Sequence, residues 1–304
     1  MRCLFCKEES HDTKGVEHLI PESIGSKRLV LPKGLVCDKC NNYFARKVEN
    51  PVLSHSSIRN LRGWYQVPNK KGTYPSVLGW IAGTDIKINL RKSTDGKLQI
   101  IAEKLSEQKL VDAYHSGIST DSDFSPFLFK IEIDPPQKEM SRFLAMMALE
   151  ALALRYVKLG DVNVIIDHPA YDAIRRFARY GEGVKHWPYH RQVLFSMDAQ
   201  MKRPDSGQWV QAGFGHDLIV TPHPETYFTF LLYGVNFTIN LGGPSIDGYA
   251  LWLQEHDPLK RIGVKLIKKV VDGKEVDFLE GSFSSNAGAN YDRKAQLMKS
   301  KQRL

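Results

Sequence analysis

The sequence predicts an α+β protein in two parts. A small N-terminal strand, strand, helix segment is pinned at its cysteines, and a larger α+β domain follows with mostly antiparallel strands and two main helices. Three observations carry this. All four cysteines fall between positions 3 and 40 of the 304 residues. The stretch 138–158 repeats apolar residues at helical spacing, and 192–253 holds aromatic and β-branched runs in series. A hydrophobic content of 42% with 25% charged residues excludes disordered and collagen-like classes.

No run of about 18 uncharged apolar residues occurs, so no membrane-spanning helix is expected. The opening MRCLFCKEES turns polar too soon for a secretory signal, which points to a cytoplasmic, reducing setting. Lys and Arg number 42 against 34 Asp and Glu, a net charge of +8 that suits an anionic partner such as nucleic acid.

Cys3 and Cys6, then Cys37 and Cys40, make two C-x2-C pairs. Two such pairs bring four soft thiolates to one tetrahedral Zn²⁺, each pair wrapping the metal in a tight turn. A pair of disulfides would need an oxidising compartment, and a thioredoxin-like site would need a single pair at a strand-to-helix junction. Zinc therefore staples a segment too short to bury a core of its own.

Between the pairs, 16–20 reads as a short strand ended by Pro21 and the Gly25 turn, and 29–31 as a second strand stopped by Pro32, Lys33 and Gly34. After Cys40, Tyr43 or Phe44 with Val48 gives helical spacing until Asn50-Pro51. Glu17 and His18 stand side by side in the first strand, and Asn41 follows the last cysteine. A neutral imidazole can take a proton from water near neutral pH. A hard Mg²⁺ wants oxygen ligands, which a carboxylate and a carboxamide supply while leaving room for phosphate and water. One metal and one base suffice to hydrolyse a phosphodiester.

The stretch from Cys3 to about Leu53 resembles an HNH endonuclease domain of the zinc-bearing ββα-metal type. The motifs in order are Cys3/Cys6, Glu17-His18-Leu19-Ile20-Pro21 and Cys37/Cys40-Asn41. The resemblance implies His18 as the general base, with Glu17 and Asn41 as ligands of a catalytic Mg²⁺ or similar divalent ion. That ion would stabilise the leaving 3′ oxygen. Glu17 stands where many members have Asp, Leu31-Pro32 lies near the place of a usual Asn, and Phe44 and Ala45 occupy a stretch that often carries Lys or His. Asn42 or Glu49 are alternative ligands that the sequence leaves open. His11 reads as a solvent-facing loop residue, and Arg46 and Lys47 either contact phosphate or stand exposed without a partner.

Residues 55–76 read as a linker or a short helix. From 77 to 103 the text is strand-like with a hairpin turn at 93–96, and 127–133 alternates like a strand. A polar stretch at 105–115 reads as helical. The helix at 138–158 places Phe143, Leu144, Met147, Ala151 and Leu154 on a core stripe. A second helix at 169–179 turns Ile174, Phe177 and Ala178 inward and Arg175, Arg176 and Arg179 outward, to solvent or to a phosphate backbone. Strands are expected around 193–195, 218–220, 227–230 and 235–239, with Gly234 and 242–244 as plain turns. The tail 291–304 is basic.

The expectation is a DNA-cleaving, metal-dependent HNH endonuclease. Residues 1–54 would form the nuclease domain, 55–76 a linker, 77–290 a domain that selects the target, a regulatory ligand or a partner protein, and 291–304 a basic tail. Two alternatives stay open: a non-catalytic zinc-stapled module that binds nucleic acid or protein, and a nuclease directed at RNA.

Overall fold

The computed structural model describes residues 1–26, 29–69, 72–81, 86–92, 98–101, 108, 111–112, 127–129, 131–202, 207–223, 225–261 and 263–281. The chain forms two compact units. One comprises Met1–Leu19, Leu31–Asn42 and Met140–Leu304, the other Ile20–Val30 and Tyr43–Glu139. Both helices and antiparallel-rich sheets are present, the expected α+β class. The hairpin tip 93–96, most of 105–115 and the basic tail lie outside the described residues.

After the second cysteine pair, α1 (Asp38–Phe44) runs through a π-turn (Ala45–Glu49) into α2 (Asn50–Leu53), and α3 (Ser56–Trp64) follows. The expected helix after Cys40 is thus present. The two strands expected before it are not regular strands. His18 and Val30 each occupy an isolated bridge position, and Leu31 donates its N–H to the Glu17 carbonyl at 2.9 Å. Pro21 and Pro32, which lack an N–H, interrupt pairing on either side of that contact.

The second unit carries an antiparallel sheet of β1 (Val77–Ile81), β2 (Lys87–Lys92), β3 (Leu98–Ile101) and β4 (Phe127–Phe129), in the order β3-β2-β1-β4. Val77 and Ile81 alternate inward and meet Ile88 and Leu90 in one core. Asn60 on α3 completes the ladder with its side chain, donating to the Leu78 carbonyl at 3.0 Å and accepting from the Leu78 N–H at 2.8 Å. A buried amide that answers both groups of one strand residue leaves neither unsatisfied.

The first unit is built on α4 (Gln137–Lys158), with α5 (Asn163–Asp167) and α6 (Asp172–Tyr180) after it. From Met140 to Ala153 every residue of α4 except Arg142 is buried. The single core stripe expected there is in fact all-round burial, and Leu154 sits only half-buried at its end. Ser141 shows why a hydroxyl is tolerated inside. It donates to the Trp187 carbonyl at 2.6 Å and accepts the Trp187 N–H at 2.8 Å.

Two sheets complete this unit. The first, in the order β5-β10-β9-β8, uses β5 (Tyr189–Val193), β8 (Phe214–Val220), β9 (Thr226–Leu232) and β10 (Val235–Asn240), all antiparallel. Its apolar face meets α4, where Phe143 and Phe230 rings stand edge to face at 6.4 Å. Its other face carries buried Asn236, Thr238 and Asn240, with Asn236 bonded to Thr229 and Thr238, and Asn240 to Glu225, and on it Ile219 and Tyr227 pack against Tyr249 and Trp252 of α7 (Asp247–Glu255). A type I′ turn joins β9 to β10 through Tyr233 (φ 43°) and Gly234 (φ 84°).

The second sheet, in the order β11-β12-β6-β7, pairs β6 (Gln200–Lys202) and β7 (Trp209–Gln211) with the hairpin β11 (Val264–Val271) and β12 (Lys274–Gly281). The short helix α8 (Pro258–Arg261) precedes that hairpin. Among the described residues, no helix is long and apolar enough to cross a membrane.

Candidate metal centre and nuclease site

The four cysteines form one cluster, and their sulfurs all lie within 4.8 Å of one another. All four are free thiols. A tetrahedral ion with bonds of about 2.3 Å to sulfur separates neighbouring sulfurs by about 3.8 Å. Cys6 Sγ and Cys37 Sγ stand 3.7 Å apart, so the donor set and spacing fit Zn²⁺.

Backbone geometry builds the cluster from the sequence upward. Lys7 takes a left-handed turn (φ 62°), which lets its N–H return to the Cys3 carbonyl at 2.9 Å while the Cys3 N–H reaches Glu8 O at 2.8 Å. Leu4 N–H bonds Leu35 O at 2.8 Å, laying the first pair beside the second. The Cys37 N–H points at Cys3 Sγ (3.3 Å) and the Cys40 N–H at Cys37 Sγ (3.4 Å), bonds that favour thiolate. The Cys3 thiol is pulled down to about 4, first by the Cys40 side chain, with burial opposing and the backbone N–H groups of Cys6, Cys37 and Phe5 assisting.

Helix α6 supplies what lies behind the sulfurs. Arg175 and Arg179 are 3% and 6% exposed, so they do not face outward as their sequence pattern suggests; only Arg176 does. Arg175 donates from Nε to Leu4 O at 2.8 Å and from Nη2 to Ile165 O at 2.9 Å, and pairs with Asp172. The Cys40 thiol is pushed up, first by its bond to Cys3 and then by burial, and the Arg179 side chain works against both. A Zn²⁺ held by four thiolates carries a net negative charge, which a buried guanidinium offsets. The C-terminal end of α6 is itself held by Arg142, whose side chain donates to the Ala178 and Arg179 carbonyls at 3.1 and 3.2 Å. A helix wheel alone gives no hint of these roles, because the partners are backbone carbonyls and sulfurs far away in sequence.

The expected nuclease residues lie in the same segment, between the cysteine pairs and just after the second. Glu17 is buried at 7% exposure and has its carbonyl fixed by Leu31. Leu19 and Ile20, both at 0%, anchor the motif. His18 is half-buried, and its Nδ1 is buried with no hydrogen-bond partner among the described residues. An orphaned imidazole nitrogen of this kind is one that a water or an ion satisfies.

Asn41 on α1 is brought to the segment just before Glu17. Asp38 accepts the N–H groups of Lys14 (3.0 Å) and Gly15 (2.8 Å), and these two bonds hold its carboxyl below the usual range. A side chain at Gly15 would meet Asp38 Oδ1 at 2.8 Å and Asn41 Nδ2 at 3.3 Å, so a larger residue there would displace one or both side chains. Sequence reasoning gave no sign of this Asp38–Gly15 contact.

The remaining candidates are dispersed. Asn42, Arg46 and Lys47 are exposed, and Glu49 is half-buried in the π-turn. His11 is exposed as expected, ion-paired to Glu9 at 2.6 Å and 3.0 Å from the N-terminal amine.

Residues 3–57 match the family model described as HNH endonuclease. An HNH endonuclease domain thus occupies the cysteine-stapled segment, and nuclease chemistry on nucleic acid is the activity that family implies. No curated protein and no solved structure gives a significant match to the chain.

Proposed function

We propose that the protein is a metal-dependent endonuclease that hydrolyses phosphodiester bonds in DNA. In this reading zinc on Cys3, Cys6, Cys37 and Cys40 is structural, His18 is the general base, and Glu17 and Asn41 hold a divalent ion such as Mg²⁺. The rest of the chain selects the target or a partner. The free thiols suit the reducing cytoplasm.

The observation that carries the reading is the joint placement of motif and scaffold: the family match spans 3–57, and within it Asn41 lies against Gly15, two residues before Glu17. A carboxylate and a carboxamide are oxygen donors of the kind a hard cation takes. When bound, that cation supplies charge stabilisation at the scissile phosphate. Glu17, buried and fixed through its backbone, orients one ligand; Asp38 and Gly15 orient the other. His18 removes a proton from the attacking water through its imidazole, whose buried Nδ1 has no hydrogen-bond partner among the described residues.

Purified full-length protein incubated with DNA and RNA substrates of equal length tests this. Cleavage of DNA that depends on Mg²⁺ and survives with bound zinc unchanged supports the reading. Preferential cleavage of RNA replaces the substrate, and metal-dependent binding without any cleavage replaces the activity.

A further inference from the structure

Two clefts flank the zinc cluster, and they differ in sign. One, of about 460 Å³, is lined by Glu8, Glu9, Asp12 and Asp38 against Lys39 and Arg179. The other, of about 500 Å³, lies between the first cysteine turn and α6 and is lined by Lys7, Lys39, Arg175 and Arg176 against Glu8 and Asp172. Four cations face two carboxylates there. Asp172 is already neutralised by ion pairs to Arg175 and to Lys7, the latter at 2.8 Å. Lys39 and Arg176 are exposed and make no hydrogen bond or ion pair with any described residue.

We infer that this second cleft holds a backbone phosphate of a nucleic acid strand, gripped by Lys39 and Arg176 with Lys7 beside them. The choice of nucleic acid as the anion rests on the nuclease reading; the charge asymmetry does not. Two cations from elements more than a hundred residues apart in sequence are held across one cavity because Arg175 ties α6 to Leu4. Arg175 is consumed by that tie and Arg179 by the sulfurs, which leaves Arg176 as the outward member of the helix. A phosphodiester oxygen satisfies a guanidinium and an ammonium together, whereas the adjoining cleft, which shares Glu8 and Lys39 with this one, has an excess of carboxylates and disfavours it. The strand would then run along the α6 side of the zinc cluster.

The test is binding, separate from cleavage. Fluorescence anisotropy of a short labelled duplex is measured with Ca²⁺ in place of Mg²⁺, over about 50 to 200 mM salt. The Lys39→Gln/Arg176→Gln protein is expected to bind about tenfold more weakly at low salt, with a salt slope shallower by about 1 per lost phosphate contact, equally on unrelated sequences. Lys39→Arg/Arg176→Lys is expected to restore most of both. Lys265→Gln/Lys274→Gln, which removes the same charge from the β11–β12 hairpin, is expected to leave the slope unchanged. Zinc content and thermal melting of each variant report that it is folded. The inference is overturned if the neutral variant keeps the wild-type affinity and slope, if the hairpin variant loses as much, or if wild type does not bind duplex at all. Binding that falls as expected while wild type cuts nothing would instead tell against the nuclease reading alone.

Discussion

Arg175 Nε donates to the carbonyl of Leu4 at 2.8 Å, joining α6 to the interior of the first C-x2-C turn across 171 positions of sequence. With Arg179 beside Cys40, the helix backs the four-cysteine cluster. The cysteine turns therefore depend on a part of the chain that lies far beyond the HNH match.

That dependence predicts a metal phenotype for a residue that is not a ligand. Arg179→Gln should lower zinc affinity by about 10- to 100-fold, because outer partners of metal ligands carry effects of that size. Competition with a chromogenic chelator measures it, and Arg179→Lys should recover part of the loss. An unchanged affinity in Arg179→Gln would mean that the guanidinium only fills space.

Gly234 predicts a backbone limit on the large domain. Its φ is 84°, and an added Cβ would stand 2.1 Å from the Phe195 carbonyl oxygen. Gly234→Ala should cost at least about 2 kcal/mol, from left-handed strain plus displacement of 195. Urea denaturation should show the midpoint falling with an unchanged slope.

Acid sensitivity should trace in part to His216. Its imidazole is pushed down to about 4, first by burial and then by Lys158. An unfolded chain takes up that proton near its ordinary value of about 6.5, so between these values the unfolded state binds more protons. Stability from this group falls as pH drops from about 6.5 toward 4, by about 3 kcal/mol at most. Asp217 next to it is pushed up by burial, which acts in the opposite sense, but it is common to both proteins compared. Denaturation of wild type and His216→Gln at pH 7 and pH 4 should show the smaller loss in the variant; equal losses would contradict the assignment.

Legibility in the sequence followed locality. The cysteine pairs were readable because a C-x2-C turn is a local object whose chemistry needs only its spacing. Glu17, His18 and Asn41 stand out in the sequence as a pattern, and the helix expected at 138–158, found at Gln137–Lys158, was readable from its periodicity. Arg175 and Arg179 were not: on a surface helix three arginines signal solvent, and only the tertiary supply of the Leu4 carbonyl and the Cys40 sulfur turns two of them inward. The strands expected around Glu17 and Val30 shrank to isolated bridges because prolines flank them. The β11–β12 hairpin carried a readable sign, the Asp272-Gly273 pair with φ values of 49° and 75°, but sequence reasoning passed over it. Helix α7 had none, since Tyr249 and Trp252 resemble the strand aromatics around them and their packing on Ile219 and Tyr227 is a tertiary contact.

The central claim is that His18 is the base of a metal-dependent nuclease. Nicking of supercoiled plasmid by the full chain, wild type beside His18→Ala, with and without Mg²⁺, tests it most directly. The account predicts Mg²⁺-dependent nicking that falls by about 10²- to 10⁴-fold in His18→Ala while each protein retains one zinc per chain. Equal nicking by both proteins, with zinc and folding intact, would contradict it.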